Sequence, residues 1–137
     1  MIMAVIDTST LISALGWESK PQQILNYCLE KKFKLVTSLQ ILEEIRDVLF
    51  RKKFDFIDSS KKNEFILLLS QLAKIAYPKH KVDICRDKKD NKFIELALSA
   101  KVKIIVSSDN DLLSIKEYMG IKILSANEFL KMLENRE

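Results

Sequence analysis

The stretch RDKKDNKFIELALSAKVKIIVSSDNDLL, from Arg86 to Leu113, decides how this chain is read. Asp83 lies just before it, and Asp87 and Asp90 stand in its basic opening. An amphipathic helix is expected from about Asn91 to Ala100, with Phe93, Ile94, Ala97 and Leu98 apolar. A short apolar strand, Ile104 to Val106, comes next and is followed by Asp109 and Asp111. Acids just past the C-terminal end of an apolar strand lie where open α/β sheets put their ligands. The same pattern occurs once more near the start, in AVIDTSTL, where Asp7 ends an apolar run.

Outward from these two places, the chain alternates strand and helix. Met1 to Ile6 is apolar throughout, as in a central parallel strand, and Thr8, Ser9 or Thr10 is expected to cap a helical turn after Asp7. Gly16 and Trp17 mark a break, and Pro21 suits the first turn of a helix running to about Lys32. Phe33 to Val36 forms a second strand, and Thr37 or Ser38 caps the helix LQILEEIRDVLFRKK. A basic link with Phe54 and Phe56 leads to a helix from about Ser60, and residues 73–77 read equally as a helix end or a short strand before Pro78. Asp87 or Asp90 caps the helix from Asn91, and Asp109 or Ser108 caps a helix to about Met119, with Gly120 as its stop. Ile121 to Leu124 is a last strand, and Ser125 with Glu128 makes a capping box. With few hairpin signals, this order predicts an α/β fold: three layers, α/β/α, around a mainly parallel sheet.

Composition narrows the functional classes. A chain of 137 residues with 47% hydrophobic and 31% charged residues is expected to fold as one domain over 1–137. The net charge of +4 mildly favours an anionic partner. Cys28, Cys85 and the lone His80 lack the spacing of a zinc site or a disulfide framework, which suits a reducing interior. The N-terminal stretch carries Asp7 and no basic lead, so it does not read as a signal peptide. No apolar run reaches the roughly 20 residues of a membrane span. A cytoplasmic location is expected.

The helix after the second strand distinguishes its two neighbouring glutamates. At roughly 100° per residue, Ile41, Leu42, Ile45, Val48 and Leu49 share one face. Glu43 then points to solvent, and Glu44 falls at the border, where it can lean over a sheet edge. Asp7, Glu44, Asp90 and Asp109 therefore become the candidate set. Gathered carboxylates repel, and some take up protons unless a cation neutralises them. Mg²⁺ or Mn²⁺, with an all-oxygen shell, is the natural counter-ion, and such a site suits phosphodiester hydrolysis. Taken singly, Asp90 and Asp109 read as plain helix caps, Glu44 as a solvated acid, and the lysine-rich stretches 51–53 and 79–92 as solvated faces. Asp7 is the hardest to explain away, because an acid abutting a buried strand needs a reason to be there.

The chain resembles PIN domains, the metal-dependent ribonuclease fold of the VapC-like toxins of toxin–antitoxin pairs. The likeness runs through VIDTSTLISAL, ILEEIRDVLFRKKF, the Arg86–Leu113 stretch and ILSANEFL, and it rests on their order and spacing. It implies that Asp7, Glu44, Asp90 and Asp109 match the four family acids and that Asp111 matches an auxiliary acid also counted among the metal ligands. Ser107 stands in place of a usual threonine, and Thr8, Ser9, Asn91 and Glu95 take supporting positions. It further implies an Mg²⁺- or Mn²⁺-dependent endoribonuclease leaving 5′-phosphate and 3′-hydroxyl ends, an RNA substrate, a homodimer and a cognate antitoxin protein. Three other readings compete. A haloacid-dehalogenase-like phosphatase needs a second aspartate where Ser9 stands, and a phospho-receiver domain needs paired acids at strand one. The third is a catalytically silent PIN-like module that binds RNA or protein.

Overall fold

The computed structural model describes residues 1–16 and 18–136; the break expected at Trp17 lies outside the described residues. The chain runs β1 (Met3–Ile6), α1 (Thr8–Ile12), α2 (Lys20–Leu29), β2 (Lys34–Thr37), α3 (Leu39–Leu49), α4 (Ser59–Leu72) and β3 (Lys74–Ile75). It continues as α5 (Asn91–Ala100), β4 (Ile104–Val106), α6 (Asn110–Leu113), β5 (Glu117–Tyr118), β6 (Ile121–Leu124) and α7 (Ala126–Glu134). The strands form one six-stranded sheet in the order β3-β2-β1-β4-β6-β5, parallel except for the β5–β6 pair. Helices cover both faces, giving the expected three-layer α/β/α arrangement around a mainly parallel sheet. Among the described residues no helix is long and apolar enough to cross a membrane.

The central strands are short and buried. Ala4, Val5, Leu35, Val36, Ile105 and Val106 are at most 1% exposed, so β1, β2 and β4 are apolar on both sides rather than alternating. Ile24, Leu25 and Cys28 carry α2 onto this core, and α2 packs on α7, where Phe33 and Phe129 meet edge to face at 5.0 Å. Ile41, Ile45 and Leu49 are fully buried on α3, which packs on α1 and α4.

The strand order positions the site. From β1 the chain moves outward to β2 and β3, then returns to place β4 on the other side of β1. The C-terminal ends of β1 and β4 therefore flank the switch point, where a crevice opens in this class of sheet. Their register pairs Ile6 with Val106, and the Asp7 amide continues the ladder with a 3.0 Å bond to the Val106 carbonyl. Asp7 and the 107–109 segment leave the sheet side by side.

Two local expectations change. Asp7 itself caps α1 by accepting from the Thr10 amide, which leaves the Thr8 hydroxyl free for another partner. The helix expected from Asp109 to Met119 is one turn long. It ends before Lys116, whose φ of 65° is left-handed, and the chain then makes the β5–β6 hairpin. Met119 and Gly120, at φ of 50° and 82°, form its two-residue turn, so Gly120 serves a hairpin rather than a helix stop. Residues 74–75, ambiguous in sequence, form the edge strand β3.

Candidate metal centre

Asp7 is 3% exposed, and both of its oxygens are engaged. Oδ1 accepts the Thr10 amide at 3.0 Å, and Oδ2 accepts the Ser107 hydroxyl. Burial raises its pKa above the ordinary aspartate value, opposed by these donors and reinforced by the charge of Asp109. Ser107, fully buried, also accepts the Asp109 amide at 2.9 Å. One hydroxyl thus ties the end of β1 to the end of β4. Asp109 caps α6 through a 3.1 Å bond from the Asp111 amide to its Oδ1.

Asp90 sits at the junction of a 3₁₀ turn, Lys88–Asp90, with α5. Its side chain caps nothing; Asp87 caps the turn instead by accepting from the Lys89 amide. Oδ2 of Asp90 is buried without a hydrogen-bond donor. The carboxyl pKa is pushed up to about 7, first by burial, then by contact with the Asp109 carboxyl and by the charges of Asp109, Asp87 and Asp7. Two carboxyls close enough to share a proton cannot both ionise cheaply. The thiol of Cys85, buried beside them, is raised to about 11 by burial and by Asp90 and Asp109.

Glu44 reaches the same place from α3, with its side chain 30% exposed, while Glu43 faces solvent. The Thr8 hydroxyl donates to Glu44 Oε1, and the Lys92 ammonium lies 2.7 Å from Oε2. Asp7, Thr8, Ser9, Glu44, Asp90 and Asp109 line one cleft of about 350 Å³ together with Ile12, Val48, Phe93, Arg51, Lys53 and Lys89.

The remaining candidates stand apart from that lining. Asp111 points its carboxylate toward Arg86 at 3.9 Å and is half exposed. Buried Asn91 uses Oδ1 to accept the amides of Ile84 and Cys85 at 3.3 and 2.9 Å, and Glu95 accepts the Val82 amide at 3.0 Å. Both hold the segment before Asp90 in place. Asp83 is exposed. Lys92 was not singled out in the sequence: one lysine in a lysine-rich stretch carries no mark of its partner on α3. The basic residues at 51, 53 and 89 have a signal only after folding, when they prove to rim the acids.

The donor chemistry fits a hard divalent cation. Asp90 Oδ2 is a buried oxygen awaiting a positive partner, and its neighbours are carboxylates whose mutual repulsion a cation would relieve. Among the described residues no three His, Cys, Asp or Glu side chains stand close enough together to hold a metal ion as they are placed. The arrangement is an acidic pair, Asp90 with Asp109, adjoined by Asp7, with Glu44 held by other partners.

Comparison with known proteins agrees with this architecture. The family model described as PIN domain matches residues 3–111. The chain is similar to the uncharacterized protein MJ1680 of Methanocaldococcus jannaschii, at 34% identity over 144 aligned positions covering 97% of this chain and 92% of that one. Its fold is similar to the crystal structure of PAE2754 from Pyrobaculum aerophilum, with a TM-score of 0.63 and 14% identity over 98% of this chain and 90% of that one. PIN domains are generally nucleases, typically using divalent metals. The matched span takes in Asp7, Glu44, Asp90 and Asp109, and on that ground this chain belongs to the PIN domain family.

Proposed function

We propose that the protein is an Mg²⁺- or Mn²⁺-dependent endoribonuclease whose working acids are Asp7, Glu44, Asp90 and Asp109. The observation that carries this reading is that Asp7 and Asp109, just past the C-terminal ends of the adjacent parallel strands β1 and β4, line one cleft with Asp90 at the start of α5, rimmed by Arg51, Lys53 and Lys89. Asp7, Asp90 and Asp109 would hold the cation, which supplies positive charge to a scissile phosphate and lowers the pKa of water. Ser107 fixes the orientation of Asp7 and of the Asp109 backbone, and Thr8 that of Glu44. Arg51, Lys53 and Lys89 are suited to hold the RNA backbone by its phosphates. Asp111, outside the lining, would act as an auxiliary through the α6 turn, and Asn91 by anchoring the approach to Asp90.

A VapC-like toxin role, a cognate antitoxin that blocks the cleft, a homodimer and a cytoplasmic location belong to the same reading. They rest on the family resemblance of the DKKDNKFIELA and SSDNDLL stretches. The test is incubation of the purified protein with structured and unstructured RNAs in Mg²⁺, Mn²⁺ or EDTA. Cleavage is expected with metal and is expected to be lost in Asp7→Asn and Asp109→Asn. Tight RNA binding without cleavage under either metal would instead identify a silent RNA-binding module.

A further inference from the structure

Glu44 differs from the other acids of the cleft in being already neutralised from within the chain. Its two oxygens are both occupied, Oε1 by the Thr8 hydroxyl and Oε2 by the Lys92 ammonium at 2.7 Å. Lys92 is held there. Its side chain is only 10% exposed, and the same ammonium donates to the Lys89 carbonyl at 2.6 Å. Lys92 is the second residue of α5, so its reach is set by the helix that Asp90 precedes.

Among the described residues, no such ion pair is made at the opposite side of the acidic set. Asp90 Oδ2 is buried and partnerless beside Asp109. A hard divalent ion binding Glu44 would approach a fixed ammonium bonded to the same carboxylate, whereas the donors on Asp7, the Thr10 amide and the Ser107 hydroxyl, are neutral. One binding at Asp90 and Asp109 displaces no cation. The acids thus divide into Asp90 with Asp109, which no ammonium neutralises among the described residues, and Glu44, which Lys92 neutralises.

We infer that Lys92 serves as a built-in second cation: the protein binds a single divalent metal ion, at the Asp7, Asp90 and Asp109 side, while the Lys92 ammonium fills the cation position on Glu44 that a second ion would need. This deepens the nuclease reading and rests on it. Lys92 is a positioning residue in this scheme, acting through Glu44.

The test counts ions and needs no turnover. Mn²⁺ is titrated into the full chain at about pH 8, and the free-ion EPR signal gives the number bound. Wild type is expected to bind about one Mn²⁺ per chain, and Lys92→Met about two, because Glu44 is then released to ligate. Lys92→Arg keeps the cation and should stay at about one. Two ions on wild type, or one ion on a folded Lys92→Met, would overturn the inference. A second variant guards against misfolding at position 92. Glu44→Gln should still bind about one Mn²⁺ per chain, since Glu44 is not its ligand; loss of that ion would overturn the inference as well. No Mn²⁺ bound to wild type at all would instead sink the metal-dependent nuclease reading on which it stands.

Discussion

Ser107 and Asp7 are joined by a buried hydrogen bond that links the first strand of the sheet to the fourth. The same hydroxyl accepts the Asp109 amide, so one oxygen sets the spacing of two acids that arrive from opposite ends of the chain. Ser107→Ala leaves the geometry of β4 intact but deprives buried Asp7 of a donor, and its carboxylate becomes harder to ionise. Removing a partner that orients a ligand typically weakens metal affinity by roughly 10- to 100-fold. Mn²⁺ affinity of Ser107→Ala should fall within that range, and Ser107→Thr should restore it. Calorimetric titration of the three proteins checks this, and an unchanged affinity in Ser107→Ala would remove Ser107 from the site.

The Asp90–Asp109 pair gives the metal-free protein a pH dependence of definite sign. The folded-state pKa of about 7 lies above the ordinary 3.8, so the folded chain binds a proton that the unfolded chain releases. That contribution to stability is fully present below about pH 4 and is lost as pH rises through about 7. A divalent ion competes with the same proton. The rise in melting temperature caused by Mn²⁺ should therefore be larger at about pH 8 than at about pH 5.5. In Asp90→Asn the metal-free melting temperature should depend less on pH over that interval. Thermal melts with and without Mn²⁺ measure both; equal Mn²⁺ shifts at the two pH values would contradict the assignment.

How much of this could be read before folding depends on how local each signal is. Asp7 and Asp109 are legible because an acid just past the end of a buried strand is a short-range pattern, and parallel pairing then brings strand ends together. Glu44 stands out from Glu43 through helical phase alone. The β5–β6 hairpin escaped because Leu112, Leu113 and Ile115 mimic a helical face. The left-handed turn at Lys116 that ends the helix carries no glycine to announce it. The Lys92–Glu44 pair escaped for another reason: it depends on how α5 sits over α3, and neither helix records its neighbour in its own sequence.

The helical phase of α3 has its own consequence. Glu44 lines the cleft with both oxygens engaged, whereas Glu43 is exposed. Glu44→Gln keeps the size but loses the charge that holds Lys92, and cleavage should fall by about 100-fold or more, the scale on which single preorganised polar groups act. Glu43→Gln should stay within about twofold. Single-turnover cleavage rates decide it, and the reverse ranking would mean that α3 presents the wrong face.

The basic rim makes a prediction about salt. Arg51, Lys53 and Lys89 line the cleft beside the acids, so RNA phosphates entering it would displace counter-ions. Each phosphate contact to single-stranded RNA contributes about 0.7 to the slope of log affinity against log salt concentration. In an Asp109→Asn background, where binding is separated from cleavage, adding Arg51→Ala and Lys53→Ala should lower affinity for unrelated sequences alike. It should also flatten the salt slope by about 1.4. A loss confined to one RNA sequence would mean that these residues read bases.

The segment leading to Asp90 is held by a row of side chains along one edge of α5. Asn91 accepts the Ile84 and Cys85 amides, Glu95 the Val82 amide, and Ser99 the Lys79 and His80 amides. Four-residue spacing puts the three on one helix face, so a segment outside the sheet has its amides satisfied by a helix. Asn91 is the buried member of the row, and Cys85 beneath it is buried too. Asn91→Ala should cost about 1–3 kcal/mol of stability, the penalty for stranding the buried Cys85 amide. Ser99→Ala, whose two amides lie at exposed positions, should cost less than about 1 kcal/mol. Denaturant melts rank the two, and hydrogen exchange should show protection lost at Ile84 and Cys85 in Asn91→Ala alone. If instead Asn91→Ala is neutral in stability yet loses Mn²⁺ binding, Asn91 belongs to the metal centre rather than to the strap that positions it.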